Sequence, residues 1–150
     1  RLDAQDVQIL NDAEVNVLAP RLVLGESNIT PANTDTPTSG GGVIVFEGDE
    51  IELAGNLRIS GAAETSLVSR GSLIAHGAFD MQARENSAIL SSNGNLSLIS
   101  SVIYPGSLSN ITFESTAPDG LIEVAGNGQV APTVLTAGGS LSFKANSFSK

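Results

Sequence analysis

The sequence predicts an all-β protein, and within that class a parallel β-helix. Three observations carry this. Short runs alternate polar and apolar residues over four or five positions, the mark of a strand with one buried face. Glycine, asparagine and proline punctuate those runs, and no window shows helical periodicity. The apolar material is Leu, Ile, Val and Ala, with five Phe, one Tyr and no Trp, so the core is aliphatic and narrow, unlike the aromatic cores of most sandwiches. Stacked turns, each giving two or three short strands about 4.8 Å above the last, would place like side chains on like. At about 20 residues per turn the chain makes about seven turns, a solenoid about 35 Å long.

The elements follow in order. Asp6-Val7-Gln8-Ile9 and Glu14-Val15-Asn16-Val17 open the pattern. It is interrupted by residues 25 to 42, GESNITPANTDTPTSGGG, in which Ile29 is the single large aliphatic residue. A stretch of that length without a pattern of its own predicts a flexible loop excursion from one corner. Its polar residues Asn28, Thr30, Asn33 and Asp35 are the candidates for an adhesive contact. The alternation resumes in Glu50-Ile51-Glu52-Leu53, Asn56-Leu57-Arg58-Ile59, Ala78-Phe79-Asp80-Met81, Asn95-Leu96-Ser97-Leu98, Asn110-Ile111-Thr112-Phe113, Leu121-Ile122-Glu123-Val124 and Ser140-Leu141-Ser142-Phe143. Gly48, Gly55, Gly61, Gly71, Gly77, Asn93-Gly94, Pro118-Asp119-Gly120 and Gly138-Gly139 read as turns between them. Residues 1–150 thus form one segment with one excursion. Neither end offers a capping helix, which predicts an uncapped internal piece of a longer solenoid.

Charge is lopsided. Residues 1 to 52 carry ten acidic side chains against Arg1 and Arg21, and the remainder is close to neutral. With two lysines and a net charge of −9, the chain repels phosphate backbones and anionic lipid, so neither nucleic acid nor membrane insertion is expected. No apolar run approaches the length of a membrane span.

The closing third has a distinctive order. Gly94-Asn95-Leu96-Ser97-Leu98 is followed by Val102-Ile103-Tyr104-Pro105, Asn110-Ile111-Thr112-Phe113 and Gly120-Leu121-Ile122-Glu123-Val124. Leu135-Thr136-Ala137-Gly138-Gly139-Ser140-Leu141-Ser142-Phe143-Lys144-Ala145 completes it. Over residues 94 to 146 this resembles the haemagglutinin-type repeat region of the filamentous-haemagglutinin family, the large exoproteins of Gram-negative two-partner secretion. The resemblance implies a right-handed parallel β-helix, export through an outer-membrane secretion partner, and display at the cell surface. There such proteins act as adhesins toward host or bacterial receptors and glycans, as biofilm components, or as stalks of contact-dependent toxin systems. The lack of cysteine suits passage through an oxidising periplasm.

Catalysis is not expected. His76, the one histidine, has no neighbouring nucleophile and acid to complete a triad, and reads as a corner residue. Glu47, Asp49, Glu50 and Glu52 supply the oxygen ligands calcium requires. They lack the Gly-Gly-x-Gly-x-Asp repeat of calcium-binding coils, and with Ile51 and Leu53 turned inward, Glu50 and Glu52 line a solvated strand face. Carbohydrate-active β-helices cluster carboxylates with Lys or Arg on one outer face. The candidates here, Asp80, Glu114 and Glu123, are dispersed in sequence. No cofactor or metal is expected. Three sequons, at Asn28, Asn95 and Asn110, complete the inventory; at the latter two Asn reads as the residue that opens a strand after a turn. The prediction is an adhesive or structural segment, with a passive stalk and a carbohydrate-active enzyme as rivals.

Overall fold

The computed structural model describes residues 1–26, 40–80 and 84–149. Among them are fourteen strands and no helix. In chain order these are β1 (Asp6–Gln8), β2 (Glu14–Leu18), β3 (Arg21–Leu24), β4 (Gly42–Leu53), β5 (Leu57–Ser60), β6 (Ala62–Ala75) and β7 (Ala78–Asp80). They continue with β8 (Glu85–Ser92), β9 (Asn95–Ser100), β10 (Val102–Pro105), β11 (Ser109–Ser115), β12 (Leu121–Gly126), β13 (Ser140–Lys144) and β14 (Ser147–Ser149).

The strands form two mostly parallel sheets between which the chain alternates. One runs β1-β5-β8-β11-β13, with β7 added antiparallel to β8. The other runs β2-β4-β6-β9-β12-β14, and its long strands β4 and β6 carry a second, shorter ladder, β3-β4-β6-β10. The all-β class therefore stands, but the right-handed parallel β-helix of about seven turns does not. The ordered paths hold five and six strands, β4 and β6 run to 12 and 14 residues, and one pair is antiparallel.

The physical reason lies partly in two glycines that read as turns. Gly48 and Gly71 sit inside β4 and β6, where the register between those strands shifts. A Cβ on Gly48 would stand 2.6 Å from the carbonyl oxygen of Ala19, and one on Gly71 would stand 2.8 Å from that of Asp49. Glycine is there to let backbones approach at an irregularity, and the strand continues through it. Alternation reports which face of a strand is buried; it does not report how many strands share a layer.

The inward faces build one core. Leu24, Phe46, Ile51, Leu53, Ile59, Leu67, Leu73, Leu90, Leu98 and Phe113 are fully buried. Register stacks like on like: Leu22 lies beside Ile51, Ile51 beside Leu73, and Leu73 beside Ile103. Each such side chain contributes about 1.5–3 kcal/mol on burial. Ala78-Phe79-Asp80-Met81 breaks the pattern. Phe79, which the alternation turns inward, is 59% exposed while Ala78 is buried, and Met81 lies outside the described residues. This is the strand that pairs antiparallel, and its inward phase is reversed.

Serines occupy the buried bends. The Ser69 hydroxyl lies 2.9 Å from the carbonyl oxygen of Asp49 and 2.8 Å from that of Ser72. Ser109 donates to the His76 carbonyl at 2.8 Å, Ser115 to that of Gly94 at 2.8 Å, and Thr65 and Ser92 share a hydroxyl bond at 2.9 Å. Ser69, Ser109 and Ser115 thus satisfy backbone carbonyls where the ladders turn away from one another, while Thr65 and Ser92 satisfy each other.

Candidate functional site

The predicted adhesive residues Asn28, Thr30, Asn33 and Asp35, and the sequon at Asn28, lie outside the described residues. The ends of the excursion are described, and they belong to the body of the protein. At one end Gly25 adopts φ +96° and packs so closely that a Cβ would sit 2.5 Å from the Gly55 carbonyl oxygen; Glu26 N–H then donates to the Asn56 carbonyl at 3.0 Å. At the other end Gly42 N–H donates to the Gly61 carbonyl at 3.2 Å, and Gly41 N–H donates to Asp12 Oδ1 at 2.7 Å. Asn56 and Gly61 flank β5. The two feet are thus fixed at opposite ends of one buried strand, about 16 Å apart at the usual rise per residue.

The edge of β5 between the feet is occupied by β1. Arg58 N–H donates to the Gln5 carbonyl at 2.7 Å, Ile9 N–H to the Ser60 carbonyl at 2.8 Å, and Arg58 Nε to Asp6 Oδ1 at 2.6 Å. A strand from the start of the sequence therefore fills the place beside β5, and none intervenes.

Three of the four clustered acids on β4, Asp49, Glu50 and Glu52, are matched by cations. Arg21, on the neighbouring β3, bridges Glu50 at 3.0 Å and Glu52 at 2.7 Å, and Arg70 on β6 binds Asp49 at 2.7 Å. Glu52, through its hydrogen bond and then its charge, holds the Arg21 guanidinium above its ordinary basicity, with Glu50 adding to it. Ile51 and Leu53 point inward as the alternation requires. Among the described residues no three His, Asp or Glu side chains converge as a metal site would need.

The outer face of the five-strand path holds a shallow recess of about 210 Å³, lined by Gln5, Asp6, Asn56, Leu57, Arg58, Ile89, Ser91 and Glu114. Register runs Asp6, Arg58, Ser91, Glu114, Lys144 across it, so charges of both signs share one row. No sequence signal announced this row, because its members come from strands far apart in the chain. Asp6 and Glu114 stand three strand spacings apart, about 14 Å. Paired-carboxylate hydrolysis needs about 5–9.5 Å between the acids, and Asp6 is already held by Arg58.

The other sequence candidates are not brought together. Glu114 lies on β11 of one sheet and Glu123 on β12 of the other, while the backbone of Asp80 pairs with Glu85. His76 is exposed at a bend, its N–H donating to the Leu53 carbonyl at 2.9 Å. Asn95 and Asn110 use their amides between strands. Asn95 Oδ1 accepts from Leu121 N–H at 3.1 Å, and Asn110 Nδ2 donates to Glu85 Oε2 at 2.6 Å while its Oδ1 accepts from Ser140 at 2.7 Å. No family model, no curated protein and no solved structure matches the chain.

Proposed function

We propose that this chain is a non-catalytic adhesive segment of a secreted, cell-surface protein of a Gram-negative bacterium, similar in kind to the filamentous haemagglutinins. In this reading an outer-membrane partner exports it, and residues 27–39 meet a receptor or glycan on another cell or in a biofilm matrix. The observation that supports it most is the mounting of the excursion. Its feet are clamped to the two ends of β5 by glycine contacts and backbone hydrogen bonds, and β1 holds the strand edge between them. Binding loops on a rigid frame lose less conformational entropy on docking than loops on a mobile one. The polar content of Asn28, Thr30, Asn33 and Asp35 suits hydrogen bonding to sugars or peptide backbone. The resemblance of residues 94 to 146 to haemagglutinin-type repeats supplies the family setting.

The test replaces residues 27–39 with a Gly/Ser linker. Bridging about 16 Å takes at least about five residues, so a six-residue linker leaves the feet in place. Saturable binding of the labelled chain to cell surfaces and immobilised polysaccharides should disappear in the replacement while its melting temperature is kept. Equal binding by both forms would dismiss the excursion as the adhesive site, and no binding by either would leave a spacer.

A further inference from the structure

Asparagine followed by glycine is chemically labile. The side-chain amide carbon lies within ring-closing reach of the next backbone nitrogen, and glycine, without a Cβ, bends to let the two meet. The sequence holds two such pairs, Asn93-Gly94 and Asn127-Gly128, and the fold treats them oppositely.

Asn93-Gly94 is sealed. Gly94 is buried, its N–H donates to Ser92 Oγ at 3.2 Å, and a Cβ there would stand 2.3 Å from the carbonyl oxygens of Ala62 and Ala63. Asn127-Gly128 stands open just past the end of β12. Gly128 is exposed at φ +77°, and a Cβ on either Gly126 or Gly128 would meet nothing within 4 Å.

The Asn127 side chain is also a clamp. Its Nδ2 donates to the carbonyl oxygens of Ser69 and Arg70 at 2.7 Å and 2.8 Å, and its Oδ1 accepts from Gln129 N–H at 2.9 Å. These bonds fasten the segment that leaves β12 to the bend in β6. Its far end is held where Leu108 N–H donates to the Ala137 carbonyl at 3.0 Å. Between the two points Val130 and Leu135 are 95% and 93% exposed.

We propose that Asn127 is a self-modification site: it deamidates in the folded protein, and the product unclamps residues 128–136 from β6. The Gly128 nitrogen bonds to Asn127 Cγ, the Cγ–Nδ2 bond breaks, and Nδ2 leaves as ammonia with the Gly128 amide proton. Water then opens the succinimide ring at either carbonyl, leaving aspartate or isoaspartate at position 127. The amide donor is thereby replaced by an oxygen facing the carbonyls of Ser69 and Arg70, acceptor against acceptor. The isoaspartate product also lengthens the main chain at the clamp. Ring closure waits until the amide lets go of both carbonyls. At Asn127 that takes a local opening of an exposed corner, whereas at Asn93 it takes separation of packed strands.

The experiment ages the intact chain in buffer and, in parallel, in urea, and maps conversion by digestion and mass spectrometry. In buffer Asn127 should convert at least about tenfold faster than Asn93, and in urea the two rates should converge, because both are then the same dipeptide in an open chain. The aged chain should exchange the amides of residues 127 and 129 about tenfold faster than the fresh one, with β8 and β11 unchanged. Asn127→Asp made directly should reproduce that change without ageing. Equal rates at the two asparagines in buffer overturn the site, as does conversion of Asn127 in urea but none in buffer. Conversion, or Asn127→Asp, that leaves exchange at residues 127 and 129 unaltered overturns the release.

Discussion

Asp6 and Arg58, 52 positions apart in sequence, meet at 2.6 Å on adjacent strands, and both are partly withdrawn from solvent. Their contact fastens the three-residue strand β1 to the body. Replacing Asp6 with Ala should cost about 1 kcal/mol overall, in the range of partly screened ion pairs. The effect should be concentrated locally. Amide exchange at Val7 and Ile9 should rise by more than the global loss of stability allows, while exchange in β8 and β11 changes only with the global term. Uniform change across all strands would show that β1 is not a separable unit.

Phe113 and Phe143 stack across β11 and β13 with ring centroids 5.6 Å apart and planes 15° from parallel. Phe113 is wholly buried, whereas Phe143 lies on the last strand of its path and is half-buried. Truncation to Ala should therefore cost about 3–5 kcal/mol at Phe113 but only about 2 kcal/mol at Phe143. Denaturant midpoints of the two variants test the order.

Ser69 is fully buried, and its hydroxyl serves the carbonyls of Asp49 and Ser72 at the bend where β4 and β6 change register. Ser69→Ala removes the donor and leaves a buried acceptor short, at a cost of about 1–3 kcal/mol. Equilibrium unfolding in urea should show a lower midpoint with an unchanged slope.

Leu108 adopts φ +56° with its side chain 70% exposed, so it carries left-handed strain without burial to offset it. Leu108→Gly or Leu108→Asn should raise stability by about 0.5–1 kcal/mol, visible as a higher melting temperature. A fall would mean that the packing lost with the Leu108 side chain outweighs the backbone term.

Much of the burial pattern was legible in the sequence. Ile51, Leu53, Leu57, Ile59, Leu96, Leu98, Ile111, Phe113 and Ile122, placed inward by alternation, are all buried. Strands whose inward or outward chemistry departs from alternation were not legible. The first half of β4, Val43-Ile44-Val45-Phe46, is apolar on both faces, and β6 turns Thr65 and Ser69 inward because hydrogen-bond partners await them there. The sheet arrangement was misread because Gly48 and Gly71 look identical as letters whether they end a strand or let one pass close to another. The row Asp6, Arg58, Ser91, Glu114 was invisible for a different reason: it exists only once distant strands have found their register.

The pairing of β1 with β5 also has a consequence in time. Most of the ladder joins strands separated by one passage through both sheets, whereas β1 must close a loop of about 50 residues that contains the excursion and all of β4. Each doubling of loop length adds only about 0.6 kcal/mol of closure entropy, so stability barely registers the difference. Order of assembly registers it more, since β1 can dock only once its edge on β5 exists. β1 therefore arrives late. Until it does, the edge of β5 stands open between the two feet of the excursion.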